Sequence, residues 1–411
     1  MTPKEFHTLS RRDCDFLRIV ASILVVVVHC VHAWVEQFYA GRNFLSLGFA
    51  ATLIDQCVRF TVPVFFFLSG FGMTSQLIKS PMRPLDFYRS RLPKIVLPFL
   101  LWSVFTSLRH LDYFHDLPWE SSPGLAMWRV SKFFFFDGFD YQFYFLIILF
   151  QFYLVLPFVY KWGRKRWVLG IFFMAQLIFM TPSDVILRMF GWQLPAVSSS
   201  LIILYGFYCC AGVYAAWHRD FLGGLVRRLS AWQAFVIWLA ALSLLVIEFR
   251  INMQNGKSLW DTDHFNRWSV ILYCLASLVL FMKIKGWILV HVHGNPHWAF
   301  LYTGVAPYTF FVYLVHTNIL RLVDFLAWET GIWNFITRIL WVVGGSYAVA
   351  WLAQWLLEDY PRARLAFGLP KEPLRATDLP GHSFLISLRG SHRDQNPLTA
   401  TPLNTPVTPR E

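Results

Sequence analysis

The chain has 411 residues and a formal net charge of +12; 56% of its residues are hydrophobic and 15% are charged. This composition excludes a soluble protein and predicts an integral membrane protein. The basic excess does not indicate a nucleic-acid partner, because Lys and Arg collect in short connections between apolar segments.

The apolar residues fall in ten blocks, each long enough to cross, as a helix, a hydrocarbon core about 30 Å thick. We therefore predict an all-α integral membrane protein with about ten transmembrane helices and no globular insert. The predicted spans are 17–36, 56–78, 95–111, 142–160, 167–181, 199–217, 232–249, 268–282, 305–326 and 337–357.

The connections "KSPMRPLDFYRSRLPK" (79–94) and "KWGRKR" (161–166) are strongly basic and lie on one side of this arrangement. The positive-inside rule then places both termini in the cytoplasm. We predict a cytoplasmic N-terminal arm (1–16), a transmembrane domain (17–368) and a cytoplasmic tail (369–411), whose Pro- and Thr-rich end is typical of disorder. The first span lacks a signal-peptide cleavage site and is expected to be an uncleaved anchor.

The first span contains two ionisable residues within its apolar run "DFLRIVASILVVVVHCVH" (15–32). On a helix, Arg18 and His29 share one face about 16 Å apart, in a stripe with Asp15, Ser22 and Glu36. Ionisable residues inside a membrane usually face a cavity or a partner and mark function. Alternatively, Arg18 snorkels to the inner surface and His29 bridges two helices by a hydrogen bond.

Two later groups have both a structural and a functional interpretation. Ser69-Gly70 in the second span fits close helix packing, or a direct polar role for Ser69. Arg89, Arg91 and Lys94 lie at the predicted inner surface, where they fit topological charge or a clamp for phosphate groups.

In the ninth span, Tyr313 and His316 are neighbours on one helix face and fit a cavity lining or an interhelical hydrogen bond.

Two predicted outer connections, 112–141 and 250–267, mix aromatic and polar residues, so they offer platforms for sugar rings or interfacial anchors. "HVHGNPH" (291–297) has three histidines, but a turn on its Gly-Asn-Pro sequence explains it better than a metal site. The six cysteines form no C-x-x-C pair, so neither a disulfide framework nor a thiol metal site is implied.

The spacing of Arg18, ten residues, then His29 is followed by an ordered set of further motifs. They are "VPVFFFLSGFGM" (62–73), "YRSRLPKIVLPFLLW" (88–102), "YFLIILFQFYLVLP" (144–157), "YGFYCCAGVY" (205–214), "PYTFFVYLVHTNIL" (307–320) and "LEDYPRARLAFG" (357–368). Over about residues 10–368 the chain thus resembles the bacterial acyltransferase family 3, membrane enzymes that O-acylate surface glycans and other extracytoplasmic acceptors. It is most similar to the stand-alone members of the exopolysaccharide and intercellular-adhesin type.

The resemblance implies a multi-pass O-acyltransferase of the bacterial inner membrane. Such an enzyme would move an acetyl or succinyl group from acyl-CoA to a hydroxyl of a cell-surface polysaccharide or lipid-linked glycan precursor. His29 would be a general base or a transient acyl carrier. Arg18 would hold a phosphate of coenzyme A or the developing oxyanion.

The remaining candidates follow from the same resemblance. Arg89, Arg91 and Lys94 are the expected acyl-CoA-binding residues, and Ser69, Tyr313, His316 and Glu36 are candidates for the substrate cavity. The expected partners are the glycan acceptor, the bilayer and other proteins of polysaccharide synthesis, with neither a metal nor a nucleic acid. Some members have an added esterase-like domain that completes transfer; since the tail is too short for one, transfer would finish in the membrane domain or on a separate protein.

Two other classes of function remain open at this point. Ten helices with intramembrane charges also fit a polysaccharide exporter or a translocator of lipid-linked sugars, although no inverted repeat is visible. A membrane scaffold within a synthase complex is the third interpretation, and in it Arg18 and His29 would be replaceable. Only the enzyme would show CoA-dependent acyl transfer by the purified protein.

Overall fold

The computed structural model of the protein describes residues 9–39, 45–110, 114–132, 134, 140–180, 200–262, 265, 267–293, 304–327 and 332–371. These residues form helices and turns, and no strand occurs among them, which confirms the all-α prediction. The helices are α1 (Arg11–Tyr39), α2 (Leu45–Val58), α3 (Thr61–Lys79), α4 (Pro84–Arg91), α5 (Pro93–Ser107), α6 (Pro123–Lys132), α7 (Tyr144–Val159), α8 (Arg166–Phe179), α9 (Gly206–Trp217), α10 (Arg219–Arg228), α11 (Ala231–Gln254), α12 (Trp268–His293), α13 (Thr309–Ala327), α14 (Ile332–Leu356) and α15 (Pro361–Phe367).

Seven helical segments of the described chain are long and apolar enough to cross a membrane. They are Arg12–Glu36, Gly48–Lys79, Pro84–His110, Ala231–Gln254, Trp268–Ile288, Ala306–Leu326 and Ile336–Leu356. Three predicted spans correspond to shorter helices instead: α7 has 16 residues, α8 has 14 and α9 has 12. A helix of 12 residues is only about 18 Å long, less than the thickness of a hydrocarbon core. The protein is therefore a multi-pass membrane protein, while ten as the number of spans stays a prediction.

The second predicted span, 56–78, covers α3 and the last three residues of α2, and a break separates these two helices. Leu45–Val58 and Thr61–Lys79 are separate helices joined at Arg59-Phe60. Pro63 explains the break, because its ring nitrogen has no hydrogen to donate to the carbonyl of Arg59, four residues earlier. The exposed connection expected before residue 56 is thus mostly helix α2, which packs along α1.

Helix α1 lies at the centre of the bundle, where it packs against α2, α3, α13 and α14. It begins at Arg11, inside the segment predicted as a cytoplasmic arm. Its first turn is held by Asp13, whose buried carboxylate lies 2.7 Å from Nζ of Lys285 on α12. An ion pair with both side chains buried fixes where α1 starts, since either charge alone would be strongly unfavourable there.

Helices α3 and α9 pack with their backbones in close contact. A Cβ atom at Gly70 would lie 2.1 Å from the carbonyl oxygen of Cys209, and one at Gly212 would lie 2.0 Å from the carbonyl oxygen of Phe67. Only glycine lets the two backbones approach so closely. The close packing predicted at Ser69-Gly70 is therefore confirmed for Gly70.

Several predictions concern residues outside those that the structure describes. The turn on Gly294-Asn295-Pro296, the histidine-rich segment beyond His293 and the disordered tail from residue 372 onward stay predictions. Of the connection 112–141, residues 114–132, 134, 140 and 141 are described.

We expect Gly212→Ala to destabilise the protein by about 1–3 kcal/mol or more, because the added methyl group would overlap the α3 backbone. The measurement is the melting temperature of the detergent-purified protein, followed by tryptophan fluorescence. Gly344→Ala in α14 is the matched control, since no atom lies within 4 Å of the Cβ position there. Equal melting temperatures for the two variants would contradict the close packing of α3 on α9.

Candidate active site

The site is built on the polar stripe of α1. Arg18 lies near the N-terminal end of this helix, where its Nη1 donates a hydrogen bond of 2.7 Å to Asp15. Its guanidinium also lies close to α3, because a Cβ at Gly72 would be 3.4 Å from Nη2 of Arg18. Arg18 is thus held between its own helix and α3 instead of extending freely to the membrane surface.

His29 lies against a second histidine. Its ring centroid is 5.2 Å from that of His316 on α13, with an angle of 28° between the ring planes. The two helices run in register, since the Ser22 hydroxyl lies 3.5 Å from the carbonyl oxygen of Thr309, seven residues before His29 and His316 respectively. The structure therefore brings together the two histidines that the sequence placed in separate spans.

His316 is fixed in orientation by its own helix. Its Nδ1 lies 2.7 Å from the carbonyl oxygen of Tyr313 and 3.2 Å from that of Val312. Carbonyl oxygens only accept hydrogen bonds, so Nδ1 carries the hydrogen and Nε2 is left with a lone pair. This Nε2 is buried and has no hydrogen-bond partner among the described residues. A buried acceptor in the candidate cavity is thereby available to a proton donor.

The segment before α7 closes the His29 end of the stripe. The ring of Tyr141 lies 4.8 Å, centroid to centroid, from that of His29. Tyr313 donates a hydrogen bond to the carbonyl oxygen of Gln142, and the Gln142 amide nitrogen lies 2.7 Å from the hydroxyl of Thr317. Gln142, the residue after Tyr141, is therefore anchored to α13.

Asp140, the residue before Tyr141, is a second anchor. Its carboxylate accepts hydrogen bonds of 2.8 and 2.9 Å from the two terminal nitrogens of Arg321 and one of 2.8 Å from Arg109. Burial raises the pKa of the Asp140 carboxyl group, and the charge of Arg109 opposes that rise. Two arginines from separate elements thus converge on one buried acid beside the histidine pair.

Two further arginines lie near Arg18, at the other end of the stripe. Arg91 of α4 donates to the side chain of Gln76, and Arg219 of α10 donates to the hydroxyl of Ser75. The Arg219 guanidinium also lies 4.7 Å from the ring centroid of Phe71. With Arg18, three guanidinium groups from α1, α4 and α10 meet along the last turns of α3. We call these three residues the arginine cluster.

The arginine cluster is poorly neutralised. Among the described residues, Arg91 and Arg219 have no carboxylate within ion-pair distance, and Asp15 is the acid that pairs with Arg18. Three half-buried cations facing mainly neutral groups favour an anionic ligand, because like charges repel more strongly away from bulk water.

The other predicted site residues lie farther from these two groups. Arg89 is exposed on α4, and Lys94 is half-buried on α5, electrostatically coupled to Arg91. The Ser69 hydroxyl donates to the carbonyl oxygen of Phe65 in its own helix, at 2.8 Å. Glu36 is exposed about 10 Å beyond His29 along α1. The structure thus places Arg18 and Arg91 along the same end of α3 and brings His29 to His316, whose ring also contacts Tyr313. It does not bring Glu36 to the histidines.

Four residues of the site were missed from the sequence. Arg219 follows an apolar segment and was counted with the topological charges. Arg109 is inside the predicted third span, and Asp140 and Tyr141 are at the end of a predicted outer connection. An acid directly before an apolar run, in "DYQFYF" (140–145), was a usable signal for Asp140. The pairing of Arg219 with α3 had no local signal.

Comparison with known families supplies the decisive observation. A family model described as an acyltransferase domain, Acyl_transf_3, matches residues 11–355. The chain belongs to acyltransferase family 3. The match contains all of the predicted site residues, so the acyltransferase domain holds both the histidine pair and the arginine cluster. No curated protein and no solved structure matches the chain. The family and the apolar helices together make this protein a multi-pass membrane protein of the acyltransferase type.

We expect Asp140→Asn to destabilise the acyltransferase domain by about 1–3 kcal/mol, because two partly exposed arginines lose their charged acceptor. The melting temperature of the purified protein measures this loss. Asp116→Asn is the control, since that carboxylate is 81% exposed in the same connection. If the melting temperatures of Asp140→Asn and Asp116→Asn are equal, the ion pairs of Asp140 with Arg109 and Arg321 contribute nothing to stability.

Proposed function

We propose that the protein is a bacterial inner-membrane O-acyltransferase that moves an acetyl or succinyl group from acyl-CoA to a hydroxyl of a cell-surface polysaccharide or lipid-linked glycan precursor. The observation that supports this most directly is the stripe of α1. One of its ends enters the arginine cluster, and its middle meets the histidine pair. Acyl transfer across a membrane requires a site that binds the donor and a site where the acyl group reacts. Helix α1 would connect these two sites.

The arginine cluster is the proposed site for the phosphates of acyl-CoA. Guanidinium groups match phosphate oxygens in geometry, and phosphate would supply the negative charge that this cluster lacks. Lys94 and the exposed Arg89 would add positive charge around the same region. The thioester would then extend along α1 from Arg18 toward His29, a distance of about 16 Å.

The histidine pair is the proposed place of chemistry. In direct transfer, His29 takes the proton of the acceptor hydroxyl, whose oxygen bonds to the acyl carbon while the CoA thiolate leaves. In the two-step route, a His29 nitrogen first bonds to the acyl carbon while the CoA thiolate leaves. The acceptor oxygen then bonds to that carbon, the bond to His29 breaks, and the hydroxyl proton passes to Nε2 of His316. His316 fits both routes, since its lone pair at Nε2 can accept a proton beside His29. Arg18, about 16 Å away along α1, fits the phosphate role better than the oxyanion role.

We expect His29→Ala to abolish ester-linked acylation of the surface glycan while the amount of exported glycan stays normal. The assay is the acyl-ester content of the surface polysaccharide in cells that lack the gene, complemented with wild type or variant at equal membrane levels. His115→Gln is the control, because this side chain is 90% exposed. Full acylation with His29→Ala would overturn the proposal, and loss of the glycan itself would favour an exporter.

We expect Arg219→Gln to raise the KM for acetyl-CoA about tenfold or more, through the loss of one charge-assisted hydrogen bond to phosphate. Initial rates of thiol release by the purified protein measure this. Arg228→Gln, exposed at the end of the same helix α10, is the matched control.

A truncated donor separates a binding role of Arg219 from a structural one. S-acetyl-N-acetylcysteamine has no phosphate, so Arg219→Gln should leave its kinetics unchanged. An equal loss of activity with both donors would instead assign Arg219 to the packing of α3 and α10.

A further inference from the structure

An aromatic ring beside the histidine pair has no role in the chemistry described so far. Tyr141 remains 40% exposed even though its ring lies 4.8 Å from that of His29. Its hydroxyl has no hydrogen-bond partner among the described residues. A tyrosine that contacts a buried site with one part of its ring and leaves the rest uncovered offers an apolar surface to a ligand.

The backbone around this ring is held firmly, so the ring is presented in one place. Asp140 is bound by Arg109 and Arg321, and Gln142 is bound by Tyr313 and Thr317. The backbone nitrogen of Tyr141 itself donates to the Asp140 carboxylate at 3.1 Å. Anchors on both sides lower the entropy lost when a ligand packs on the ring.

We propose that Tyr141 is the platform on which the pyranose ring of the acceptor lies while one of its hydroxyls meets His29. The C–H face of a sugar ring is apolar and packs on an aromatic face, and the sugar hydroxyls can bond the free phenolic group. This inference rests on the proposed acyl transfer to a glycan. The acceptor is then a sugar in its ring form, and Tyr141 is the residue that distinguishes it from acceptors without a ring.

The alternative is that Tyr141 anchors the chain at the membrane interface, as exposed Tyr and Trp often do. Trp119 is a suitable comparison, because it is in the same connection and is 43% exposed. An interfacial anchor would act on membrane level and stability, and it would not distinguish one acceptor from another.

The test measures acetyl transfer from acetyl-CoA by purified protein to two acceptors. The first is a set of de-O-acylated oligosaccharides prepared from the cell's own surface polysaccharide, and the second is glycerol, which has hydroxyls and no ring. We expect Tyr141→Leu to lower kcat/KM for the oligosaccharides about five- to tenfold. Rates with glycerol and the KM for acetyl-CoA should stay unchanged. Tyr141→Phe and Tyr141→Trp should retain most of the activity with oligosaccharides, and Trp119→Leu should retain all of it.

Each other outcome has a defined meaning. If Tyr141→Leu lowers transfer to both acceptors equally, or if Trp119→Leu has the same effect as Tyr141→Leu, the proposed role of Tyr141 is wrong. The proposed acyl-transfer activity would not be contradicted by either result. If the wild-type protein transfers acetyl to neither acceptor, the proposed function fails and the platform fails with it.

Discussion

The pairing of buried charges is the constraint on which this bundle depends. Each arginine that the sequence places inside an apolar span has an aspartate partner: Arg18 with Asp15, Arg59 with Asp55, Arg321 and Arg109 with Asp140, and Arg338 with Asp324. An unpaired charge at these depths would be costly, so each pair fixes the side chains that form it. The Arg18 and Arg59 pairs are local in sequence, whereas the Arg321 pair joins α13 to the segment before α7. The Arg321 pair determines where Tyr141 and Gln142 lie relative to His29.

The two ends of the α1 stripe differ in how their charge is balanced. At the Asp140 end, the acid is shared by two arginines, and the uncharged partners Gln142, Thr317 and Tyr313 complete the network. At the Arg18 end, the arginine cluster meets mostly neutral groups. At the Asp140 end both arginines are therefore paired with an acid, whereas two of the three guanidinium groups in the arginine cluster have no carboxylate within ion-pair distance among the described residues. This difference supports a donor rich in phosphate at one end and a polar, uncharged acceptor at the other.

Sequence reasoning recovered the parts of the site that lie along a single helix. The spacing of Arg18 and His29 follows from helix geometry, and the pairing of Tyr313 with His316 follows from their three-residue separation. Contacts between distant segments were not accessible in this way. Asp140 and Arg321 are 181 residues apart, and nothing in either segment indicates the other.

The break at Arg59-Phe60 was missed for a different reason. Hydropathy does not register the missing hydrogen-bond donor of Pro63, so the predicted span 56–78 runs through the break and leaves most of α2 in the preceding connection. The short α9 shows the same limit, because a hydropathy window cannot tell an apolar loop from an apolar helix.

The backbone contact at Gly70 and Gly212 has a consequence for motion in this enzyme. Two helices whose carbonyl oxygens touch the opposing Cα positions can neither slide nor rotate without steric overlap. Because α3 also holds Ser75 and Gln76, the partners of Arg219 and Arg91, the arginine cluster is part of a rigid frame. The Tyr141 end is anchored by side chains, through the ion pairs of Asp140 and the hydrogen bonds of Gln142, with no such backbone contact described there. Under the proposed function, substitution at Tyr141 would therefore change the range of acceptors while the arginine cluster keeps its geometry.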